Sequence, residues 1–253
     1  VEELEPGWCK YTNQLNDVSF VSPNDFFKVI DNKIILGRSQ SSKDFDVLYF
    51  AARDIKEVVI PSYIKEIHPY AFSGCIKLDR ITFEEDSKLE KIGNESFSYS
   101  SVKKMCIPKH VKIIDDSELQ VIGEKSFSES SIISIKIPKT VKEIKKKAFL
   151  RCYKLKSFEF LDGCQIQCIS NDMLSNTSIK TIVIPDSVKY IDKSAFYNCS
   201  NLQSVDISED SNLTKIDYIS FSDCPINKFH IHPLFRSFRN NSLSTTITEI
   251  TIS

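Results

Sequence analysis

The sequence predicts a repeat solenoid that is mostly β. About nine short strands form a parallel sheet, short helical turns connect them, and an N-terminal segment caps one end. Three observations support this fold class: prolines recur at a fixed distance, strand-like segments recur at half that distance, and each repeat has too few apolar residues for a core of its own. The predicted organisation is a cap at residues 1–50 and a solenoid at residues 51–253.

Composition sets few limits on function. The 253 residues are 41% hydrophobic, which is enough for a large core. Thirty-three basic and 34 acidic side chains give a net charge of −1, so neither nucleic-acid binding nor attraction to an anionic membrane is predicted. No apolar run reaches the roughly 18–20 residues of a membrane helix, and the first residues lack a signal-peptide pattern, so direct membrane insertion is not expected.

The cap is predicted from a hairpin and a cluster of aromatic residues. The segment FKVIDNKIIL (Phe27 to Leu36) has a central Asp31-Asn32 pair that suits a tight turn. Aromatic residues are concentrated at this end, at Trp8, Phe20, Phe26, Phe27, Phe45 and Phe50. Because the open end of a solenoid is a template for aggregation, a distinct capping segment is expected here.

The repeat itself is visible in the prolines and in the strand-like segments. Pro61, Pro108, Pro138, Pro185 and Pro233 lie 47, 30, 47 and 48 residues apart. A second strand-like segment halves the longer intervals, so most units have 23 or 24 residues. The strands are anchored at Ile55, Leu78, Val102, Ile132, Leu155, Ile179, Leu202 and Ile226, with a shortened last unit near residues 234–253. Successive strands are therefore expected side by side and parallel, about 4.8 Å apart.

One unit, near residues 108–131, departs from the period. The distance from Val102 to Ile132 is 30 residues. Either the segment DDSELQ (Asp115 to Gln120) is an insertion of about half a turn, which loops tolerate, or two coils were once present and 17 residues are missing between Ile114 and Asp115. The sequence leaves both alternatives open.

The repeat pattern resembles a known family. The unit V-x-x-I-x-x-x-[AS]-F-x-x-C/S-x-x-L-x-x-I-x-I occurs at Val141 to Phe160 and at Val188 to Ile207. It resembles the BspA-like class of leucine-rich repeat proteins, over about Phe26 to Pro233. The phrase FAARDIKEVVIP, from Phe50 to Pro61, is similar to the protozoan, trichomonad-type branch of surface-antigen-like BspA proteins.

The resemblance implies a right-handed, non-enzymatic leucine-rich repeat solenoid. Its relatives are associated with cell surfaces, with adhesion and with binding of host or matrix proteins, so a surface protein with a protein ligand is expected. The alternative is a cytoplasmic structural scaffold within a larger assembly, for example a cytoskeletal one. The eight cysteines without evident pairing and the absence of a signal or anchor segment favour that alternative. The sequence indicates neither the ligand's identity nor the oligomeric state.

No catalytic, cofactor or metal site is predicted. The four histidines, His68, His110, His230 and His232, lie in no motif such as GxSxG or HExxH, and the six glycines form no phosphate-binding loop. His230 and His232 are two apart, so both rings could face one side of a strand and share a metal. Since no third ligand is evident, an ordinary exposed strand end is favoured.

The cysteines fall into two groups. Cys75, Cys152, Cys199 and Cys224 occupy the same FxxC position of the repeat. They lie mostly two coils apart, about 10 Å by the strand spacing, which is too far for a disulfide, so free structural thiols are expected. Cys164 and Cys168 lie outside this position and about 13 Å apart along an extended chain. A zinc site would need two further ligands, so exposed thiols, reactive or incidental, are expected there.

The outer face of the sheet is the predicted site of function. Alternation along the strands turns eight residues outward: Val59, Thr82, Cys106, Lys136, Glu159, Val183, Asp206 and His230. All of these except Cys106 form the predicted protein-binding site, and Lys136 beside Glu159 is expected to form a cross-strand pair. Neighbouring positions carry a basic bias, at Arg80, Lys103, Lys104, Lys156 and Lys180. The alternative is a solvated, charged face without a ligand.

Overall fold

The computed structural model describes residues 1–39, 42–105, 120–231 and 235–252, with the side chains of residues 231 and 252 outside the description. Within these ranges the chain forms twenty strands, β1 to β20, and no helix. The predicted short helical turns are therefore wrong for the described residues. The connecting segments are hydrogen-bonded turns instead.

The N-terminal segment forms an antiparallel hairpin joined to the solenoid. Strands β1 (Phe27–Ile30) and β2 (Ile34–Gly37) pair in antiparallel register around Asp31 and Asn32, and both turn residues have positive φ angles. This confirms the predicted hairpin. Strand β3 (Val47–Ala51) pairs antiparallel with β2 on one side and parallel with the first coil on the other. The direction of the sheet thus changes at β3, where the cap meets the repeats.

The predicted main sheet is present, with nine strands in the described residues. These strands are β4 (Glu57–Ile60), β6 (Arg80–Phe83), β8 (Lys104–Met105), β10 (Ser134–Ile137), β12 (Ser157–Phe160), β14 (Thr181–Ile184), β16 (Ser204–Ile207), β18 (Lys228–Ile231) and β20 (Glu249–Ile252). All pairs between them are parallel. The ladder is continuous from β4 to β12, and two further pairs, β14 with β16 and β18 with β20, continue the row.

A second side of each coil forms another parallel sheet, from strands of only two residues. They are β5 (Glu66–Ile67), β7 (Lys91–Ile92), β9 (Val121–Ile122), β11 (Glu143–Ile144), β13 (Cys168–Ile169), β15 (Tyr190–Ile191), β17 (Lys215–Ile216) and β19 (Ser237–Phe238). Their isoleucines point inward and are fully or almost fully buried from β5 to β17. Sequence reasoning missed this sheet because two residues are too few to show an alternating pattern.

The third side of the coil is a ladder of turns rather than strands. The amide of Phe97 donates to the carbonyl of Ser126 one coil later, and the amide of Phe127 donates to the carbonyl of Ala148, at 2.7 and 2.8 Å. Each turn contains two left-handed residues four positions apart, for example Lys147 (φ 61°) and Arg151 (φ 57°). A right-handed helix excludes such residues, which is why these segments do not become helical turns.

Phenylalanine rings stack along the third side. Phe72, Phe97, Phe127 and Phe149 form a column with ring centroids 5.0 to 5.1 Å apart and planes within 11° of parallel. Leu174 takes the same place in the next coil, and its amide bonds onward to the carbonyl of Ala195. All five side chains are fully buried. The column joins the isoleucines and leucines of the two sheets in one continuous core.

The irregular unit is bridged by direct pairing on two sides of the coil. Lys104 of β8 pairs with Ser134 of β10, and Lys91 of β7 pairs with Val121 of β9. The coils before and after the unit are therefore immediate neighbours. The join between Ile114 and Asp115 and the segment Asp115 to Gln120, apart from Gln120 itself, lie outside the described residues, so both alternatives for the origin of this unit stay predictions.

The phenylalanine column predicts a size-dependent loss of stability. Phe127→Ala should lower the free energy of unfolding by about 3–5 kcal/mol, because it leaves a cavity between two stacked rings. Phe127→Leu should cost about 1 kcal/mol, because Leu174 already fills the equivalent place. Urea denaturation followed by circular dichroism measures both values. Equal losses for the two variants would contradict this account of the column.

The left-handed turns predict an unusual preference for glycine over alanine. At exposed Arg151, the glycine variant should be more stable than the alanine variant by about 1 kcal/mol, because only alanine has a Cβ that conflicts with positive φ. At exposed Tyr153, whose φ lies outside the left-handed region, alanine should be the more stable variant. Thermal unfolding of the four proteins tests this. Alanine above glycine at both positions would contradict the assigned turn geometry.

Candidate protein-binding face

The predicted face residues lie on one exposed surface. Strand pairing places Val59 beside Thr82, Lys136 beside Glu159 and Val183 beside Asp206. These six side chains are exposed and His230 is half-buried, while their strand neighbours Val58, Ile135 and Ile182 are buried. The predicted outward orientation is therefore confirmed for all seven. The eighth, Cys106, lies outside the described residues.

The face combines paired charges with exposed apolar side chains. Lys136 Nζ lies 2.6 Å from Glu159 Oε2, which confirms the predicted cross-strand pair. Such exposed pairs stabilise a fold by only about 0–1 kcal/mol. Val59 on β4 and Val183 on β14 expose 57% and 63% of their surface. His230 Nδ1 forms a hydrogen bond with Thr251 Oγ1 at 2.9 Å, which ties the ends of β18 and β20 together.

A shallow cavity interrupts the face beside Val183. It has a volume of about 270 Å³ and lies between the ends of β12 and β14, where the ladder of the main sheet is interrupted. Its polar lining includes Asp162, Asp186 and Ser208, and the Ser208 hydroxyl donates to the Asp186 carboxylate. Sequence reasoning missed this cavity because nothing in the strand pattern marks a break between β12 and β14.

The two edges of the face carry opposite charges. Lysines occupy the edge where the central strands begin, and we call Lys103, Lys104, Lys156 and Lys180 the lysine edge. Carboxylates follow the strand ends on the opposite side, and we call Glu84, Glu85, Asp86, Asp162, Asp186, Glu209 and Asp210 the acidic edge. All eleven side chains are exposed. The sequence indicated the basic bias at these lysines, but the acidic edge appears only once the turns are placed.

The histidine pair lies only partly within the described residues. His232 lies outside them, and no group of three or more His, Cys, Asp or Glu side chains within them is arranged to hold a metal ion. His68 stacks on Tyr49 with ring centroids 4.2 Å apart. Burial there lowers the pKa of His68 below its ordinary value, and the charge of Lys91 acts in the same direction. His68 therefore belongs to the junction of cap and solenoid.

The cysteines of the FxxC position are free, as predicted. The Cys152 thiol donates to the carbonyl of Phe127 in the preceding coil at 2.9 Å, and the Cys199 thiol donates to that of Leu174 at 3.1 Å. Burial raises the pKa of Cys152 to about 12. Such a thiol stays protonated and inert, so its role is to bond a carbonyl of the neighbouring turn.

Most of these thiols lie two coils apart, but Cys199 and Cys224 lie in neighbouring coils. Burial disfavours both thiolates, but hydrogen bonds from Cys224 and Thr177 lower the pKa of Cys199. The hydrogen bond to Cys199 and burial together raise the pKa of Cys224. Both sulfurs are almost completely buried, so reagents in solution reach neither.

The expectation of exposed thiols at Cys164 and Cys168 is wrong. Cys164 is only 5% exposed, because its side chain turns into the core beside β12 and β13. Cys168, at the start of β13, is half-buried, and burial together with the charge of Asp192 raises its pKa to about 12. A pKa this high leaves very little thiolate near neutral pH. Neither residue therefore fits the role of a reactive cysteine.

Comparisons with known proteins agree with this architecture. The family described as "BspA type Leucine rich repeat region (6 copies)" matches residues 44–121 and 120–249. This family describes a repeat region rather than a catalytic domain. A search of curated proteins finds no significant match. In the part of the chain that the structure describes, no helix has the length and apolarity that a membrane crossing requires.

Solved structures are similar to this chain at low sequence identity, and the first of them shares its fold. A leucine-rich repeat protein from Bacteroides ovatus superposes with a TM-score of 0.68 at 19% identity, covering 93% of this chain and 77% of that chain. The pneumococcal vaccine antigen PcpA gives a TM-score of 0.49 at 16% identity, over 92% of this chain and 51% of the antigen. A leucine rich cell surface protein from Faecalibacterium prausnitzii gives 0.36 at 17% identity, over 79% of both chains.

The family match and the fold lead to one assignment. The matched residues cover most of the chain, and the parallel sheets repeat at the spacing that the sequence pattern predicts. The chain belongs to the BspA-type leucine-rich repeat family.

Proposed function

We propose that this chain is a non-enzymatic protein-interaction module whose strand face binds a protein ligand. The observation that carries the proposal is the outward-facing row formed by Val59, Thr82, Lys136, Glu159, Val183, Asp206 and His230. Nine parallel strands present such a row over about 40 Å, which is long enough for a protein-sized footprint. Rigid solenoid faces of this kind are suited to binding extended protein surfaces.

The chemistry of the row supports a protein ligand. Val59 and Val183 provide apolar contact area at two separate points of the row. Lys136, Glu159 and Asp206 supply charges that can select a complementary partner and exclude others. Apolar contacts with a charged surround are the usual composition of a protein interface, so shape and charge together would determine the ligand.

We place the chain on a cell surface, as an adhesion or antigen-like protein for host or matrix proteins. This location rests on the family resemblance, and so does the further assignment to the protozoan, trichomonad-type branch. A second candidate is an intracellular scaffold. It is favoured by the seven described cysteines, all of which are free, because free thiols are typical of reducing compartments.

The binding proposal predicts that reversing one charge of the face weakens ligand binding. Lys136→Glu should reduce the affinity for a matrix ligand about fivefold or more, because it replaces an attractive contact with a repulsive one. Surface plasmon resonance on immobilised fibronectin, laminin and collagen measures the affinity. Lys146→Glu is the matched control. Like Lys136, Lys146 pairs with a glutamate of a neighbouring coil, Glu124, at 3.5 Å, but it belongs to the turn side of the solenoid.

The control separates binding from stability. Both lysines take part in exposed ion pairs, so each reversal should lower the free energy of unfolding by a similar amount, about 1 kcal/mol or less. If Lys136→Glu and Lys146→Glu bind the ligand equally well, the face around Lys136 is not the binding surface.

The surface location predicts staining of intact cells. An antibody raised against the purified folded chain should label the endogenous protein without permeabilisation, while an antibody against a cytosolic marker should not. Fluorescence microscopy with and without detergent makes the comparison. Labelling that requires detergent would contradict the surface location and favour the intracellular scaffold.

A further inference from the structure

The lysine edge is a cationic row across the centre of the solenoid, and among the described residues only Lys103 of its four members forms an ion pair. Backbone hydrogen bonds place its members in register: the amide of Ile133 donates to the carbonyl of Lys103, and the amide of Lys156 donates to the carbonyl of Ile133, at 2.8 and 2.9 Å. The amide of Ser178 donates to the carbonyl of Leu155 at 3.0 Å, which places the strand of Lys180 next to that of Lys156. The row therefore crosses four neighbouring strands, a distance of about 14 Å.

Most of these lysines have no counter-ion in the described part of the chain. Lys103 pairs with Asp79, but no carboxylate lies within 4.0 Å of the Lys104, Lys156 or Lys180 ammonium groups among the described residues. The flanking segments 101–104, 131–134, 154–157 and 178–181 contain no acidic residue. Like charges on neighbouring strands repel one another. An acidic partner would replace this repulsion with attraction.

The opposite edge limits the kind of partner. The acidic edge holds seven carboxylates, with Lys139 as the one lysine among the described residues that directly follow these strands. A uniform polyanion, such as a nucleic acid or a sulfated glycan, would be attracted by one edge and repelled by the other. A protein surface can carry both signs, with carboxylates toward the lysines and neutral or basic groups toward the carboxylates.

We propose that the lysine edge binds an Asp/Glu-rich segment of a protein ligand, and that the acidic edge fixes the orientation of that ligand across the strand face. This inference rests on the proposed function, since it describes the ligand of the same face. The four lysines provide point charges over about 14 Å, which matches four or five residues of an extended segment. Charge complementarity of this kind accelerates association and excludes wrongly oriented partners.

The first test uses defined probes and the full chain. The probes are a fluorescent peptide in which glutamate alternates with glycine, the same peptide with glutamine in place of glutamate, and a heparin-derived hexasaccharide. Fluorescence anisotropy at low ionic strength should detect binding of the glutamate peptide, weakening as salt is added, and no binding of the glutamine peptide. Failure of the glutamate peptide to bind, or tighter binding of the hexasaccharide, would overturn the proposal.

The second test compares two double variants of equal charge. Lys156→Glu with Lys180→Glu should weaken binding of the glutamate peptide about tenfold. The control, Lys145→Glu with Lys189→Glu, changes two exposed lysines of the second sheet side and should stay close to the wild-type affinity. Equal affinities for both double variants would overturn the proposal, because binding would then follow net charge alone.

Different results would contradict the protein-binding function of the strand face and the role of the lysine edge. If Lys136→Glu loses the matrix ligand while the Lys156→Glu and Lys180→Glu variant keeps it, the strand face binds protein but the lysine edge takes no part. If neither variant affects that ligand, the strand face itself is excluded. Both changes are at exposed positions, so matched melting temperatures confirm that the compared proteins are folded.

Discussion

One spacing controls the whole molecule: every coil must advance by the separation of two paired strands, about 4.8 Å. The main sheet and the second sheet meet this condition through backbone pairing, and the turn side meets it through amide bonds such as that from Phe97 to Ser126. Phenylalanine rings stacked at 5.0 to 5.1 Å fit the same advance. A residue at a given position of the coil therefore meets its equivalents in the coils above and below. This is why the sequence repeats apolar types at fixed positions.

The same spacing explains the position of extra residues. The unit between Val102 and Ile132 is longer than its neighbours, yet β8 still pairs with β10 and β7 still pairs with β9. Additional chain is tolerated only where it does not separate paired strands, since a gap in the ladder would leave buried amides without partners. The sequence between the ends of β8 and β9 is accordingly longer than that between β6 and β7 or between β10 and β11.

The first coil lacks a preceding coil, and Arg53 joins it to the N-terminal segment. The residue is only 2% exposed. Its guanidinium donates to the carbonyls of Cys9, Ala51 and Ala71 and lies 4.8 Å from the centre of the Phe50 ring. A buried cation is costly unless its donors are bonded. These bonds satisfy the two terminal nitrogens, whereas Nε has no hydrogen-bond partner among the described residues.

The sequence predicted those features that alternation or turn residues mark and missed those that carry no such mark. Strand anchors, the number of main strands, the outward row and the hairpin at Asp31 were all accessible, because alternation and turn residues mark them directly. The left-handed turns were not, since residues such as Lys147 and Ile219 carry no signal for positive φ. The burial of Cys164 was missed for a related reason: the strand pattern does not show which way the segment after β12 turns.

The position of the candidate site follows from the alternation of each main strand between inward residues of the core and outward residues of the surface. Inward positions of the main strands pack against the equivalent residues of the adjacent coils in the core, which restricts them to apolar residues. Outward positions such as Lys136, Glu159 and Val183 contact only the adjacent strands and solvent. Outward residues can therefore vary without loss of the fold. A charged residue at one strand position also lies at a fixed distance from the equivalent position in the next coil. Lysines at the strand starts therefore form the lysine edge, and carboxylates after the strand ends form the acidic edge on the opposite side. The polarity of the face is thus a property of the repeat geometry, and a partner must match it over several coils at once.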